Sequence, residues 1–237
     1  MVWEQDVAVE GICCRVVISD EADTLLAAKA AGRVIVGCLG GDGEKRLPMA
    51  RYLVETMDAA DAQYLERVVR RERGMPWLIG ESERIRLREF VAEDAFAVPA
   101  EPGDSRDDQV FYHPEKLQAY IRSQYGFWEY GLWAVERRKD GKILGKAGLT
   151  NWDDNGYLEL AYHIFSPYRR QGYAEEACRL VLDYVQKEYN NAIAGICAVT
   201  EASNHASAGL LQKLGFAFME SECSGARHRY VLGGSYC

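Results

Sequence analysis

No CxxC pair occurs among the seven cysteines of this 237-residue chain, and their odd count and irregular spacing fit neither a zinc knuckle nor a secreted disulfide framework. Reduced thiols are expected. The four histidines (His113, His163, His205, His228) show no metal-ligand spacing, and the HExxH, GxSxG and GxxxxGK patterns are all missing. Zinc-protease, serine-hydrolase and P-loop chemistry therefore have no support, and no metal is expected. No apolar stretch approaches the roughly 20 residues that span a bilayer. The acidic start, MVWEQDVAVEG, has neither the basic flank nor the apolar run of a signal peptide. Positive charge is also in short supply: 28 Lys and Arg against 36 Asp and Glu leave a formal net charge of −8. That balance argues against a general nucleic-acid or anionic-membrane partner, so any basic site must be local. A soluble, cytoplasmic protein is expected.

What is present is an ordinary globular composition, 48% hydrophobic and 27% charged, with a length suited to one large domain or two small ones. Residues 12–18 (ICCRVVI) form a β-branched apolar run that ends at Ser19-Asp20, a plausible helix N-cap. The helix that follows stops at Gly32, and RVIVGCL (33–39) reads as a second buried strand. Together they predict a βαβ unit with parallel strands and a right-handed crossover. After a glycine-rich turn (Gly40, Gly41, Gly43) comes a short strand near Arg51–Val54. A charged helix capped by Asp58 or Asp61 then runs to about Arg73, where Gly74-Met75-Pro76 breaks it.

Near Gly80 the pattern restarts, which sets the expected domains at residues 1–80 and 81–237. RIRLREF (84–90) alternates as a strand with one wet face, and residues 93–108 allow only a short helix and an irregular acidic loop. Pro114 opens a helix to about Tyr125. Strands at 131–138, 143–150 and 157–165 are joined by Asp140-Gly141 and Asn155-Gly156 turns, which predict antiparallel neighbours. A long amphipathic helix follows over 172–188, with Ala174, Ala177, Cys178, Val181, Leu182 and Val185 as its apolar stripe. A strand at 193–199, a helix capped by Asn204 and ended by Gly215, and strands at 216–220 and 228–232 complete the chain.

Chemistry concentrates in YLELAYHIFSPYRRQGYA (157–174): a strand, a proline that stops it, then Arg169-Arg170-Gln171-Gly172-Tyr173-Ala174 opening the long helix. The first turn of a helix carries unpaired N–H groups and partial positive charge, Gly172 allows close backbone approach, and the two arginines add full charges. An anion such as a pyrophosphate suits that arrangement. On spacing alone, two solvated arginines beside an ordinary strand-to-helix turn explain it equally well.

The stretch resembles the coenzyme A pyrophosphate loop of the GNAT-type N-acyltransferases: Arg or Gln, two free positions, Gly, one free position, then Gly or Ala. Arg169, Gly172 and Ala174 meet it. In the family's order, SERIRLREFVAEDA (Ser82 to Ala95) is similar to its first strand and turn, and Asn204 to Ser207 with Lys213 to Phe216 resembles its N-x-x-S…K-x-G-F helix. The wording is most similar to the RimJ/RimL-like subgroup that includes ribosomal-protein alanine acetyltransferases, and the resemblance covers residues 81–237. It implies a mixed, mostly antiparallel α/β (α+β) sheet that splays between the strands at 157–165 and 193–199, preceded here by the small βαβ half-Rossmann unit.

The same resemblance implies acetyl-CoA as cosubstrate, with pantetheine passing Ile164 and Phe165 and the diphosphate on the amides of Arg170 to Glu175, hence Gln171, Gly172, Tyr173 and Ala174 as well. Glu159, where the family often carries a carboxylate, becomes the candidate base for the amine, directly or through water; its bland reading is a solvent-facing strand residue. The Ile164 amide becomes the candidate oxyanion donor. Asn204 is a helix cap that also reaches pantetheine, and Ser207 either bonds the coenzyme sulfur or only its own helix backbone. The family's helix tyrosine is replaced by Leu211, so thiolate protonation falls to Ser207, another tyrosine or water. The acceptor is a primary amine, a peptide N-terminus or a small molecule. Acids at Glu101 to Asp108 and aromatics at Tyr125, Phe127, Trp128, Tyr130 and Trp133 lie on the acceptor side, where a solvated loop and core aromatics are the simpler explanation. The oligomeric state is not encoded.

Residues 14–38 resemble the last acidic motif of haloacid dehalogenase-like hydrolases. The nucleophilic DxD and the Ser/Thr and Lys motifs are missing, however, and Asp23 sits one place short of the second acid, leaving Thr24 there. With no nucleophile, Asp20 reads as a helix cap rather than a magnesium ligand. The expectation is a remnant, packed on the transferase or binding a small ligand at Gly40–Gly43. The competing reading of the whole chain is a non-catalytic acyl-CoA-binding or interaction module.

Overall fold

The computed structural model describes residues 1–40, 46–101, 108–189, 192–221 and 225–233, and the chain divides into two compact units. One comprises residues 1–77 with 118–129, the other 78–117 with 130–237. Most of the glycine-rich turn and of the acidic insert lie outside the described residues.

The first unit is a four-stranded sheet in the order β1-β2-β3-β4 (Val2–Val9, Ile12–Ser19, Val34–Cys38, Tyr52–Val54). As expected, β2 and β3 are parallel and joined through a helix, α1 (Ala22–Ala30). Alternating residues of the buried strands serve opposite faces: Val17 and Ile35 pack with Leu25 and Ala28 of α1, while Val16, Ile18, Val34 and Val36 pack with Leu65, Val68 and Val69 of α2 (Ala62–Glu72). Asp61 caps α2, its Oδ1 accepting the Tyr64 N–H at 2.7 Å. Two details go beyond the sequence reading. The acidic start, to which no element was assigned, is β1, paired antiparallel with β2 through a Glu10-Gly11 turn in which both residues have positive φ. Asp20 does not cap α1; it binds the amino group of Met1, and the Ser19 hydroxyl accepts the Glu21 N–H.

The second unit is an eight-stranded sheet in the order β11-β12-β10-β9-β8-β7-β6-β5, formed by Leu78–Glu81 (β5), Ile85–Arg88 (β6), Leu132–Arg137 (β7), Ile143–Trp152 (β8), Tyr157–Ile164 (β9), Gly195–Glu201 (β10), Ala217–Ser221 (β11) and Arg227–Gly233 (β12). Every neighbouring pair is antiparallel except β9 and β10. The Asp140-Gly141 and Asn155-Gly156 turns fall between β7, β8 and β9 as their sequences predict, and both glycines have positive φ. Helix α4 (Tyr173–Glu188) lies across β5, β6, β8 and β9, and α5 (His205–Lys213) packs on β10 and β11. Helix α3 (Pro114–Ser123) begins in this unit, and from residue 118 it and the π-turn over Gln124–Trp128 that continues it belong to the first.

The polar face of β6 is wet at Arg86, whose side chain is 41% exposed, but not at Arg88. Arg88 is buried, its guanidinium bidentate to Asp94 (2.7 and 2.9 Å) and bonded to Glu136 through Nε at 2.6 Å. The charge enters the core because two carboxylates meet it there.

Candidate active site

Pairing between β9 and β10 covers only Gly195–Cys197 against Tyr157–Glu159. Beyond Cys197, β10 follows β12 and β9 follows β8, so the sheet opens. A bulge in β8 between Leu149 and Trp152, opposite Leu158–Leu160, bends the strand where the opening begins. A cleft of about 500 Å³ occupies the gap, lined from β9 by Leu160, Ala161, Tyr162 and His163, from β10 by Ala198 to Glu201, and from α5 by Asn204, Ser207 and Leu211.

At the end of β9, Phe165 donates its N–H to the Leu144 carbonyl at 2.9 Å, so strand alternation turns the Ile164 N–H away from β8 and toward the opening. The Ile164 carbonyl accepts from Arg169 Nε at 2.7 Å. The Phe165 side chain is buried and its amide is engaged within the sheet.

The loop that follows turns sharply. Pro167 sits in a 3-10 turn over Ser166–Tyr168, Arg170 has φ +59°, and Gly172 has φ +85° as the N-cap of α4. The first helical bond is Glu176 N–H to Gly172 O at 3.2 Å. Among the described residues, no main-chain N–H from Arg170 to Glu175 has a protein acceptor. Six consecutive free donors at a helix N-terminus have the chemistry to receive an anion. The carboxylates closest in sequence are already neutralised: Glu175 binds Arg179 and Lys213, and Glu176 binds Arg84 and Ser82.

Arg169 faces elsewhere. Besides Ile164 O, its guanidinium holds Glu101 at 2.9 Å. Glu101 also accepts the Ser166 N–H at 2.6 Å and bonds His163 Nε2. Burial raises the Glu101 carboxyl, but the Ser166 N–H and the His163 ring outweigh it and bring it down to about 2. At the other end of the insert, Asp108 lines the cleft and pairs with the buried Lys146, whose Nζ lies 4.2 Å from the Phe111 ring centre. Both ends of the acidic insert are therefore tied down rather than solvated. Residues 102–107 lie outside the described residues.

Glu159 is half-buried at the last paired position of β9, opposite Cys197, and it is not among the described residues lining the cleft. Burial, with Glu159 adding to it, pushes the Cys197 thiol up to about 11. The Asn204 side chain caps α5, Oδ1 accepting the Ser207 N–H at 3.1 Å. The Ser207 hydroxyl lies 2.7 Å from the hydroxyl of Tyr162, a residue the sequence reading passed over. Burial lifts the Tyr162 phenol to about 12, against a smaller pull downward from Ser207. Leu211 is fully buried. Of the aromatics expected on the acceptor side, Tyr125, Tyr130 and Trp133 are buried, whereas Phe127 and Trp128 are exposed. Five cysteines (13, 14, 38, 178, 197) are free thiols, and no cluster of potential metal ligands occurs among the described residues. No helix among them is long and apolar enough to cross a membrane.

The acetyltransferase (GNAT) domain family matches residues 84–217, more than half of the chain. The chain belongs to this family and is an acetyltransferase. Its fold is similar to the ribosomal-protein-S5-alanine acetyltransferase of Vibrio fischeri (TM-score 0.53, 19% identity, covering 66% of this chain and 97% of that one). It is equally similar to a GNAT-family acetyltransferase of Bacillus anthracis (TM-score 0.53, 20% identity, 67% and 99% covered). At these identities the likeness concerns fold alone. In sequence, the chain is 27% identical over 149 residues to the Bacillus subtilis protein YkkB, covering 59% of this chain and 86% of YkkB. It is 29% identical over 88 residues to the N-acetyltransferase YjdG of the same organism, covering 37% of this chain and 51% of YjdG.

Proposed function

We propose that this acetyltransferase moves an acetyl group from acetyl-CoA to a primary amine by direct attack, with both substrates bound at once. The observation that carries the reading is the run of six acceptor-free amides, Arg170–Glu175, in the turn between the splayed strand β9 and α4. A diphosphate has the charge and the oxygens to satisfy them. The edge of β9 released by the splay, with the Ile164 N–H directed into it, suits the amide groups of a pantetheine arm. Asn204 and Ser207 flank the same cleft from α5.

When bound, acetyl-CoA supplies an acetyl group activated as a thioester. The Ile164 N–H donates to the carbonyl oxygen as charge grows on it, at no cost in reorganisation because the strand already fixes its direction. Glu159 accepts the amine proton, with a bridging water where the distance demands one. Deprotonation weighs differently on the two acceptor types: at neutral pH about a tenth of a peptide α-amine is free base, but under about a thousandth of a lysine amine. A peptide N-terminus or a small polyamine is the acceptor class. Both accord with proteins that share the fold: a ribosomal-protein-S5-alanine acetyltransferase, a ribosomal L7/L12 alpha-N-protein acetyltransferase and a spermidine/spermine N-acetyltransferase. The free thiols accord with action in the cytoplasm.

Isothermal calorimetry with coenzyme A and acetyl-CoA tests the cradle, and thiol release over a panel of peptide N-termini, polyamines, aminoglycosides and amino acids tests the transfer. Binding followed by acceptor-dependent thiol release is expected. Absence of heat with either form of the coenzyme at modest salt overturns the reading.

A further inference from the structure

The departing sulfur needs its negative charge held, and Leu211 leaves α5 without a phenol to do so. Among the described residues lining the cleft there is one tyrosine, Tyr162, and it comes from β9. Its hydroxyl meets the Ser207 hydroxyl at 2.7 Å. Helix α5 fixes the Ser207 main chain, because the Asn204 cap takes its N–H, so the hydroxyl rotor is the remaining freedom of that residue at the cleft. A serine hydroxyl has one proton and two lone pairs. If the phenol donates to Ser207 Oγ, the serine proton must point elsewhere.

Resting on the acyltransferase reading above, we propose that Tyr162 is a positioning residue for the reaction: it donates to Ser207 and so aims the Ser207 hydroxyl proton at the coenzyme sulfur. As the C–N bond forms and the C–S bond breaks, the bonding pair leaves on sulfur. The amine proton goes to the base on the other side, and the Ser207 O–H holds the thiolate by a charge-assisted hydrogen bond. No proton leaves Tyr162. An ordinary thiol titrates near about 8.5, more than three pH units below the phenol at about 12, so the pair acts as an oriented donor and not as an acid. The thiolate takes its proton from solvent on release.

The proposal is tested by titrating the thiol of bound coenzyme A through its ultraviolet thiolate absorbance, which needs no acceptor. The bound thiol should titrate below the free one, and Tyr162→Phe should raise it by about one pH unit, the equivalent of about tenfold. Ser207→Ala, which keeps the capped N–H, should raise it at least as far, and the double variant no further. Acetyl-CoA affinity should hold within about twofold while kcat with any accepted amine falls about tenfold. A bound thiol with the same titration in wild type, Tyr162→Phe and Ser207→Ala overturns the proposal and leaves the acyltransferase reading intact. Failure of the wild type to bind coenzyme A removes both. If Tyr162→Phe does not fold, Tyr162→Leu, which also removes the hydroxyl, takes its place, and an unshifted thiol titration in that variant overturns the proposal.

Discussion

The Arg84 guanidinium reaches across 92 residues of sequence to bind Glu176, with Nε 2.9 Å from Oε2, while its Nη1 donates to the Gln171 carbonyl at 3.1 Å. The same group stacks 4.7 Å above the Tyr173 ring. One side chain thus braces the turn, the first helical residue and the first-turn acid, without supplying any of the six free amides. Arg84→Ala should weaken coenzyme A binding about tenfold by loosening that turn, a loss of ~1.4 kcal/mol measurable by calorimetry. Unchanged affinity would show that the turn holds its shape unaided.

A stronger effect is expected at Arg88. Its charge and those of Asp94 and Glu136 are about nine-tenths buried and compensate one another. Arg88→Ala leaves Asp94 in the core with no cation and Glu136 with only the Arg86 guanidinium at 3.5 Å, so denaturant unfolding should lose about 3–5 kcal/mol. A loss below about 1 kcal/mol would mean that water reaches the pair.

Glu101 contributes to stability on the acid side. Its folded value of about 2 lies below the ordinary 4.5, so it contributes stability that is present above about pH 4.5 and is lost as pH falls toward 2. Glu101→Gln should lower the melting temperature at neutral pH and flatten its decline over that window. A variant melting curve parallel to wild type from pH 5 to pH 2 would count against this assignment.

For Glu159, the proposed base, Glu159→Gln should lower kcat about 10²–10⁴-fold at near-constant coenzyme affinity and remove the acid limb of the pH–rate profile. An unaltered profile would falsify the role.

The stretch from β9 through the loop to α4 is legible in sequence because each turn is forced locally: Pro167 ends the strand, Gly172 takes a positive φ, and Asn204 announces α5. Strand β1 is harder to read. Its first half is largely exposed, only Val7 and Val9 are buried, and its identity comes from pairing with β2. The groups that dress the cleft carry no local signal. Tyr162 and Ser207 are 45 residues apart, His163 and Glu101 62, Lys146 and Asp108 38. Nothing in the few residues around each names its partner, and Glu101 and Asp108 look like members of a solvated acidic run until the fold brings a base to each. Arg169 likewise has partners that no local signal names: besides its place in the motif, its guanidinium bonds Ile164 O and Glu101.

The splay puts a weak seam in the interior of an eight-stranded sheet, since three paired positions join β9 to β10. Whatever threads that seam completes a half-finished ladder, so occupancy and rigidity of the protein are thermodynamically linked. Hydrogen exchange along β9 beyond Glu159 should consequently slow with each increment of guest concentration, an interior zip closed from outside.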